Sequence, residues 1–466
     1  MSRRIHFVSL GCAKNRVDTE VMLGVGEEQG LEIVAEAEEA DVIVVNTCGF
    51  IGPAKEESVR TILELGQLRQ GGRCETLVVA GCLSQRYPEE LAAEMPEVDH
   101  FLGTSDMLRL REVLGGGGPR MMVGDPANWL ARADDPRALG GARSSAFLKI
   151  AEGCARSCSF CAIPSIRGTQ RSRPIDDLVA EARRLAQAGV VELCLVSQDT
   201  VAYGRDLPGR PTLASLCEAL AQVPGVRWLR LHYLYPERLD ERLIELLAEH
   251  PVVLPYVDMP LQHAADAMLR RMRRGHGGDR LRRLTDRLFE AIPDLVFRSA
   301  FIVGHPGETD AEFEELHRFV ERTRFDHLGV FRYSHEEGTA SYELGSPVQE
   351  AVAEERERAL MTLQQQISRQ KLEARVGTEL EVLVEGISEE SELLLEGRFW
   401  GQAPEVDGRV ILANGEARPG QIRRALVRDA GDYDLVADLL DEDGQLDLPP
   451  DVEPVRRRVS LPVLDR

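Results

Sequence analysis

Three short apolar runs rich in Val and Ile, at residues 4–10, 40–45 and 75–80, predict buried strands, each being too brief for a helix. Residues 18–29, 54–68 and 88–94 follow them with helical patterning. Strand and helix in alternation predict a parallel sheet covered by helices. Residues 115–119 (GGGGP) and an irregular stretch to about 142 then break the pattern, as a linker would. The alternation resumes with strands predicted at 147–151, 192–196, 227–232, 253–259, 296–303 and 327–333. Six such units predict a partial (β/α)6 barrel with functional residues at the carboxyl ends of its strands. A long polar helix at 347–372 leads to glycine-punctuated strands at 379–385, 393–399, 409–412 and 421–428, the pattern of a small antiparallel β-barrel. The fold class is α/β: an open parallel α/β domain (3–118), a linker (119–139), the partial barrel (140–371) and the terminal barrel (372–440). Residues 441–466 are polar and read as a tail.

A length of 466 residues agrees with about three domains. Hydrophobic content of 43% and charged content of 29% supply ample material for cores. No apolar run approaches the roughly 18 residues of a membrane span, and residues 5–10 are too short for a signal peptide, so a cytoplasmic location is expected. Nine cysteines, an odd number in a long chain of this kind, argue for metal or redox chemistry over a disulfide framework. A formal charge of -22 disfavours non-specific nucleic-acid binding and suits either a basic partner or plain solubility.

Two sulfur patterns carry the chemistry. Cys154, Cys158 and Cys161 lie within eight residues of one loop after the first strand of the partial barrel. Zinc would want a fourth ligand nearby, whereas a four-iron cluster on three thiolates keeps one iron open for a ligand. Cys12, Cys48 and Cys82 each follow a strand of the first sheet, and parallel sheets gather such residues in the crevice at their carboxyl ends. Gly11, Gly49 and Gly81 beside them would let backbones approach closely. Cys74, Cys194 and Cys217 read as structural.

The Cys-x3-Cys-x2-Cys loop resembles that of the radical S-adenosylmethionine enzymes. That resemblance implies an open iron chelating the amino and carboxylate groups of the cofactor, and one-electron cleavage to a 5'-deoxyadenosyl radical. Three N-terminal cysteines, a radical module and a small terminal barrel in this order look like the methylthiotransferases, whose N-terminal cysteines carry a second cluster tied to sulfur delivery. The resemblance spans about residues 3–440. Residues 9–18 (SLGCAKNRVD), 45–51 (VNTCGFI), 197–200 (SQDT), 231–236 (LHYLYP), 260–263 (PLQH) and 329–339 (GVFRYSHEEGT) look most like the RimO-type branch. Members of that branch methylthiolate the β-carbon of an aspartate in small-subunit ribosomal protein S-twelve. The likeness implies two 4Fe-4S clusters, on Cys12/Cys48/Cys82 and Cys154/Cys158/Cys161, and S-adenosylmethionine as radical source and methyl donor. It places Ser197, Gln198, Arg298 and Ile302 against that cofactor. Ala13, where the branch usually has Pro, and His305, where Phe is common, depart from the pattern without removing a ligand.

Charge bears on the substrate, since a sister branch modifies an adenosine of transfer RNA. Residues 372–440 hold seven Arg, no Lys and fifteen acidic residues, a formal -8. An RNA-binding barrel would show a basic stripe and stacking aromatics, and this one has only Phe399, Trp400 and Tyr433. An acidic barrel suits a basic ribosomal protein of the small subunit. That protein and an electron donor are the expected partners, with no membrane and with direct RNA binding secondary. Arg270, Arg271, Arg273, Arg274, Arg280, Arg282, Arg283 and Arg287 read as a solvated helical face, the alternative being contact with ribosomal RNA or a cofactor carboxylate. A transfer-RNA methylthiotransferase, an iron–sulfur electron carrier and a zinc-bearing ribosome scaffold are the competing readings. No side-chain acid or base stands out, as expected where cofactors carry the hard chemistry.

Overall fold

The computed structural model describes residues 3–139, 144–237 and 239–446, except for the side chain of Gln70. Strands β1 (Arg4–Ser9), β2 (Glu32–Ile33), β3 (Val42–Thr47), β4 (Thr76–Gly81), β5 (His100–Leu102) and β6 (Met121–Met122) form a parallel sheet in the order β2-β1-β3-β4-β5-β6. Side chains alternate between its faces. Val42, Val44 and Val78 join Met22 and Val25 in one core, while Ile43, Val45, Leu77 and Val79 join Ile62 and Leu91 in the other. Burial on both sides is why these strands are apolar throughout. β2, β5 and β6 are too short to show a pattern in the sequence. β6 comes from the stretch expected to be a linker, where Met121 pairs with Phe101. The first helix, Ala13–Glu28, starts five residues before the expected position, because polar Lys14, Asn15 and Asp18 are buried and break its amphipathic pattern.

β7 (Ser145–Lys149) opens the second sheet, and a small hairpin of β8 (Ala151–Glu152) and β9 (Arg171–Ser172) brackets the cysteine loop. β10 (Glu192–Val196), β11 (Trp228–Leu231), β12 (Val253–Asp258), β13 (Val296–Val303) and β14 (His327–Arg332) complete it in sequential order, every pair parallel. Among the described residues β7 and β14 do not pair, so the barrel is partial.

The helix Glu350–Glu373 leads to β15 (Glu379–Ser388), β16 (Ser391–Phe399), β17 (Val410–Asn414), β18 (Ile422–Ala430) and β19 (Leu435–Leu439), which close in the order β15-β16-β17-β19-β18. The expectation of an antiparallel barrel needs one correction: β17 and β19 are parallel. Five strands cannot close with every neighbour antiparallel, so the unforeseen fifth strand forces one parallel pair. Residues 447–466 of the expected tail, and 140–142 of the irregular stretch before the partial barrel, lie outside the described residues. No helix among the described residues is long and apolar enough to cross a membrane.

The terminal barrel docks at the amino ends of the partial-barrel strands through buried charge. Glu192, first residue of β10, accepts from Arg230 Nε at 2.8 Å and from Arg398 Nη2 at 2.6 Å. Asp407 takes Arg298, the Tyr256 hydroxyl at 2.7 Å and the Ala403 amide at 2.8 Å. Burial would raise both carboxyls. Arg398 and Arg230 outweigh it at Glu192, and His327 and Arg298 at Asp407, holding each at about 2. Groups depressed in the folded state stabilise it above their unfolded values, 3.8 for Asp and 4.5 for Glu, and lose that contribution as pH falls through about 2. Fluorescence of Trp228 and Trp400, which pack in the seam, is therefore expected to hold from pH 7 to 5 and to change between about pH 4 and 2. Glu192→Ala strands the buried Arg230 guanidinium and is expected to cost about 3–5 kcal/mol in urea denaturation.

Candidate functional site

β1, β3 and β4 are adjacent, and each delivers a cysteine at its carboxyl end: Cys12, Cys48 and Cys82. Cys12 is the N-cap of Ala13–Glu28, and Cys82 opens the helix Cys82–Arg86. A Cβ added to Gly11 would lie 3.2 Å from Cys48 Sγ, and one on Gly49 would meet the Cys82 carbonyl oxygen at 2.7 Å. Asn15 Nδ2 donates to the carbonyls of Leu10 and Thr47, both at 2.9 Å, tying the first two loops together. Ser58 Oγ accepts from the Cys48 amide at 3.1 Å and donates to its carbonyl at 3.0 Å.

Cys154, Cys158 and Cys161 lie between β8 and the helix Ile163–Arg167. Cys158 Sγ accepts from Arg274 Nη1 at 3.3 Å, and Cys154 Sγ from the Arg156 amide at 3.4 Å. Tyr235 lies between the Arg156 and Arg274 guanidinium groups, 3.6 and 4.2 Å from its ring centroid. Arg274 therefore does not belong to a solvated face. Arg273 adopts a positive φ just past the helix Asp266–Arg271, and the chain turns Arg274 into the cysteine loop. Arg270, Arg273, Arg280 and Arg283 are exposed as the surface reading has it, while Arg271, Arg282 and Arg287 are half-buried and paired with Glu312, Glu315 and Glu241.

The carboxyl edges of the two sheets face each other. Lys149, at the end of β7, is fully buried between Asp18 of the first helix and Glu152. Arg167 adds a second cation, bridging Asp18, Glu152, Asn15 and Cys82. Lys14 Nζ lies 3.6 Å from the Tyr233 ring centroid. At the end of β14, Glu336 takes Lys55 and Arg86 of the N-terminal unit, each at 2.7 Å. Cys194 and Cys217 are buried in β10 and in the helix Leu213–Ala221, and Cys74 is buried ahead of β4.

The four expected cofactor residues do not all meet. Ser197 is buried and bonds Thr200 through its hydroxyl at 3.1 Å, while Gln198 Nε2 donates to Glu152 at 2.9 Å. Ile302 packs on the buried cluster of Ala265, Met268 and Met272, which Phe160 of the cysteine loop also covers. Arg298 is drawn away to Asp407, with Asp258 3.9 Å off. Residues that escaped sequence reasoning are Asn15, Asp18, Lys149, Glu152, Arg167 and the role of Arg274. The available signal was Lys149, a charged residue inside the apolar strand run 147–151, since a buried charge needs a partner.

The donor set fits iron–sulfur groups. Burial pushes the Cys82 and Cys161 thiols up to about 12 and Cys154 to about 11, so these sulfurs hold their protons unless a cation takes them. Burial acts on Cys12 too, but the Lys14 and Arg167 charges outweigh it and lower that thiol. Among the described residues no three His, Cys, Asp or Glu side chains are arranged to hold one metal ion. A cluster needs no common point, because each thiolate takes a separate iron. Beside the cysteine loop, Gln198 Oε1, Asp199 Oδ1, Gln170 Oε1 and Arg156 Nη2 are buried without a hydrogen-bond partner, which suits a polar cofactor there.

This fold and cysteine loop define a radical S-adenosylmethionine enzyme. Residues 148–320 match the radical SAM superfamily, residues 4–103 the uncharacterized protein family UPF0004, and residues 376–440 the TRAM domain. The chain resembles in fold a radical S-adenosylmethionine methyltransferase, TsrM, from Kitasatospora setae, solved with cobalamin and a 4Fe-4S cluster (TM-score 0.52, 15% identity, 71% of this chain and 75% of that one). It is 61% identical to ribosomal protein uS12 methylthiotransferase RimO of Sorangium cellulosum, over 99% of this chain and 98% of the relative. The protein of the same name from Myxococcus xanthus is 52% identical over 93% and 91%. The chain belongs to this RimO family of methylthiotransferases, and its cofactors are S-adenosylmethionine and 4Fe-4S clusters.

Gly81 (φ 98°, ψ -150°) sits in a region that side chains avoid, and an added Cβ would lie 2.3 Å from Asn46 Oδ1. Gly81→Ala is expected to cost about 1–3 kcal/mol from backbone strain alone and to displace Cys82. Iron analysis after reconstitution should then show a partial loss relative to the parent chain.

Proposed function

We propose that this chain adds a methylthio group to the β-carbon of an aspartate in ribosomal protein uS12, in the cytoplasm. Family membership supports the reaction class. The observation that carries the reading is the apposition of two three-cysteine sites across one buried, ion-paired seam. In this reading Cys154, Cys158 and Cys161 hold one 4Fe-4S cluster with an iron left for S-adenosylmethionine, and Cys12, Cys48 and Cys82 hold a second. Bound there, the clusters and S-adenosylmethionine supply hydrogen abstraction, sulfur and the methyl group. Ser197, Gln198 and Ile302 line the S-adenosylmethionine position, whereas Arg298 is held by Asp407 and serves the terminal barrel instead.

The protein's own contribution is orientation and exclusion of water. Asn15 and Ser58 set the loops of the N-terminal site. Arg274 braces Cys158 and is itself pinned by the Pro260 carbonyl at 2.8 Å. Lys149, Asp18, Glu152 and Arg167 fill the seam between the sites with paired charge, and the Lys14–Tyr233 contact adds to its closure. Residues 3–118, 140–371 and 372–440 act as the sulfur-donating, radical and substrate-attracting units. The formal charge of -8 on the last steers a basic protein toward the enzyme. An external electron donor completes the scheme.

Anaerobically reconstituted enzyme given uS12, transfer RNA and S-adenosylmethionine is expected to place the methylthio group on uS12 alone, read by mass spectrometry. Cys158→Ala should reduce 5'-deoxyadenosine formation to background. Cys82→Ala should retain that cleavage and lose the methylthio product. A modified transfer RNA with unmodified uS12 would overturn the assignment.

A further inference from the structure

Arg167 belongs to the segment that carries one cysteine site and touches a cysteine of the other. It ends the helix Ile163–Arg167, six residues after Cys161, and is fully buried. A guanidinium has five N–H donors in a rigid plane. Here Nε donates to Cys82 Sγ at 3.3 Å, Nη1 to both Glu152 oxygens at 3.0 and 3.1 Å, and Nη2 to Asn15 Oδ1 at 2.6 Å and Asp18 Oδ2 at 3.0 Å. Five donors thus meet five acceptors drawn from both halves of the seam. Ala162 and Ile166 of the same segment pack on the Cys82 side chain, so its position is set by shape as well as charge.

We propose that Arg167 is a positioning residue that fixes Cys82 and raises the reduction potential of the cluster held by Cys12, Cys48 and Cys82, an inference that rests on the ligand assignment above. Reduction adds negative charge to a cluster and its sulfurs. A hydrogen bond and a cation at a ligating sulfur stabilise that charge, the more so in a dry interior. Because the same guanidinium is braced by Glu152 and ends the helix that directly follows the Cys154–Cys161 loop, the two sites share one electrostatic element. Lysine would keep the charge but could not serve five planar acceptors at once.

The test uses the full-length chain carrying Cys154→Ala, Cys158→Ala and Cys161→Ala, which confines iron to the N-terminal site, titrated with dithionite and mediators and followed by electron paramagnetic resonance. Arg167→Gln is expected to disfavour reduction about tenfold, a midpoint about 59 mV more negative for one electron. Arg167→Lys should shift it in the same direction by less. Arg274→Gln, at the other site, should leave it in place. Should Arg167→Gln not retain iron, Arg167→Lys is read instead. A parental midpoint in the variant that retains iron overturns the proposal, and iron lost from both variants also overturns it, since Arg167 is then needed only for assembly. A parent that binds no iron removes the ligand assignment, and this role with it.

Discussion

Two cations and two carboxylates buried in one seam are the constraint on which the rest of this molecule depends. Lys149 and Arg167 face Asp18 and Glu152 with side chains almost wholly shielded from water. Singly, each would be prohibitive to bury, and as a set they are neutral and hydrogen-bonded. Burial would draw the proton off Lys149, yet Asp18 and Glu152 outweigh it and raise its pKa. The geometry works only when the first helix of one sheet and the end of β7 in the other come together, so it selects one mutual orientation of the two α/β units. Arg167 then links Cys82 of one cysteine site to the helix that follows the other.

The other end of the partial barrel is organised on the same principle with different partners. Arg398 reaches Glu192 at the amino end of β10, and Asp407 reaches Arg298, Tyr256 and His327. The central unit thus meets the cysteine-bearing N-terminal unit at one edge of its sheet and the terminal barrel at the other. Glu405 of the barrel comes within 3.6 Å of Arg16 in the first helix, so the terminal barrel also touches the N-terminal unit. His305 bonds Ser341 Oγ at 2.8 Å, and burial lowers its pKa to about 4, so it serves as a neutral core residue.

Much of the architecture was legible because buried parallel strands must be apolar on both faces. The runs at 192–196 and 296–303 coincide with β10 and β13, and the six-strand order follows the chain. What escaped had little local signal. β5 and β6 are three and two residues long and exist only as additions to an existing sheet. β19 includes Asp438, buried against Arg428 and Asn414, which masks a strand as a polar segment. The start of the first helix was missed because Asn15 and Asp18 face the site, a demand of function that overrides amphipathic patterning.

Sequence alone determined the donor types and their placement along the chain. Three thiols in eight residues must share a loop, and three cysteines after parallel strands must share an edge, since both follow from short-range connectivity and strand direction. Only the tertiary structure decided who stands beside those sulfurs. Arg167 reaches Cys82 across 85 positions and Arg274 reaches Cys158 across 116, and no pattern along the chain encodes such meetings. Arg298, on the cofactor-facing strand by resemblance, is claimed by Asp407, because a buried carboxylate takes the nearest guanidinium wherever the chain places it.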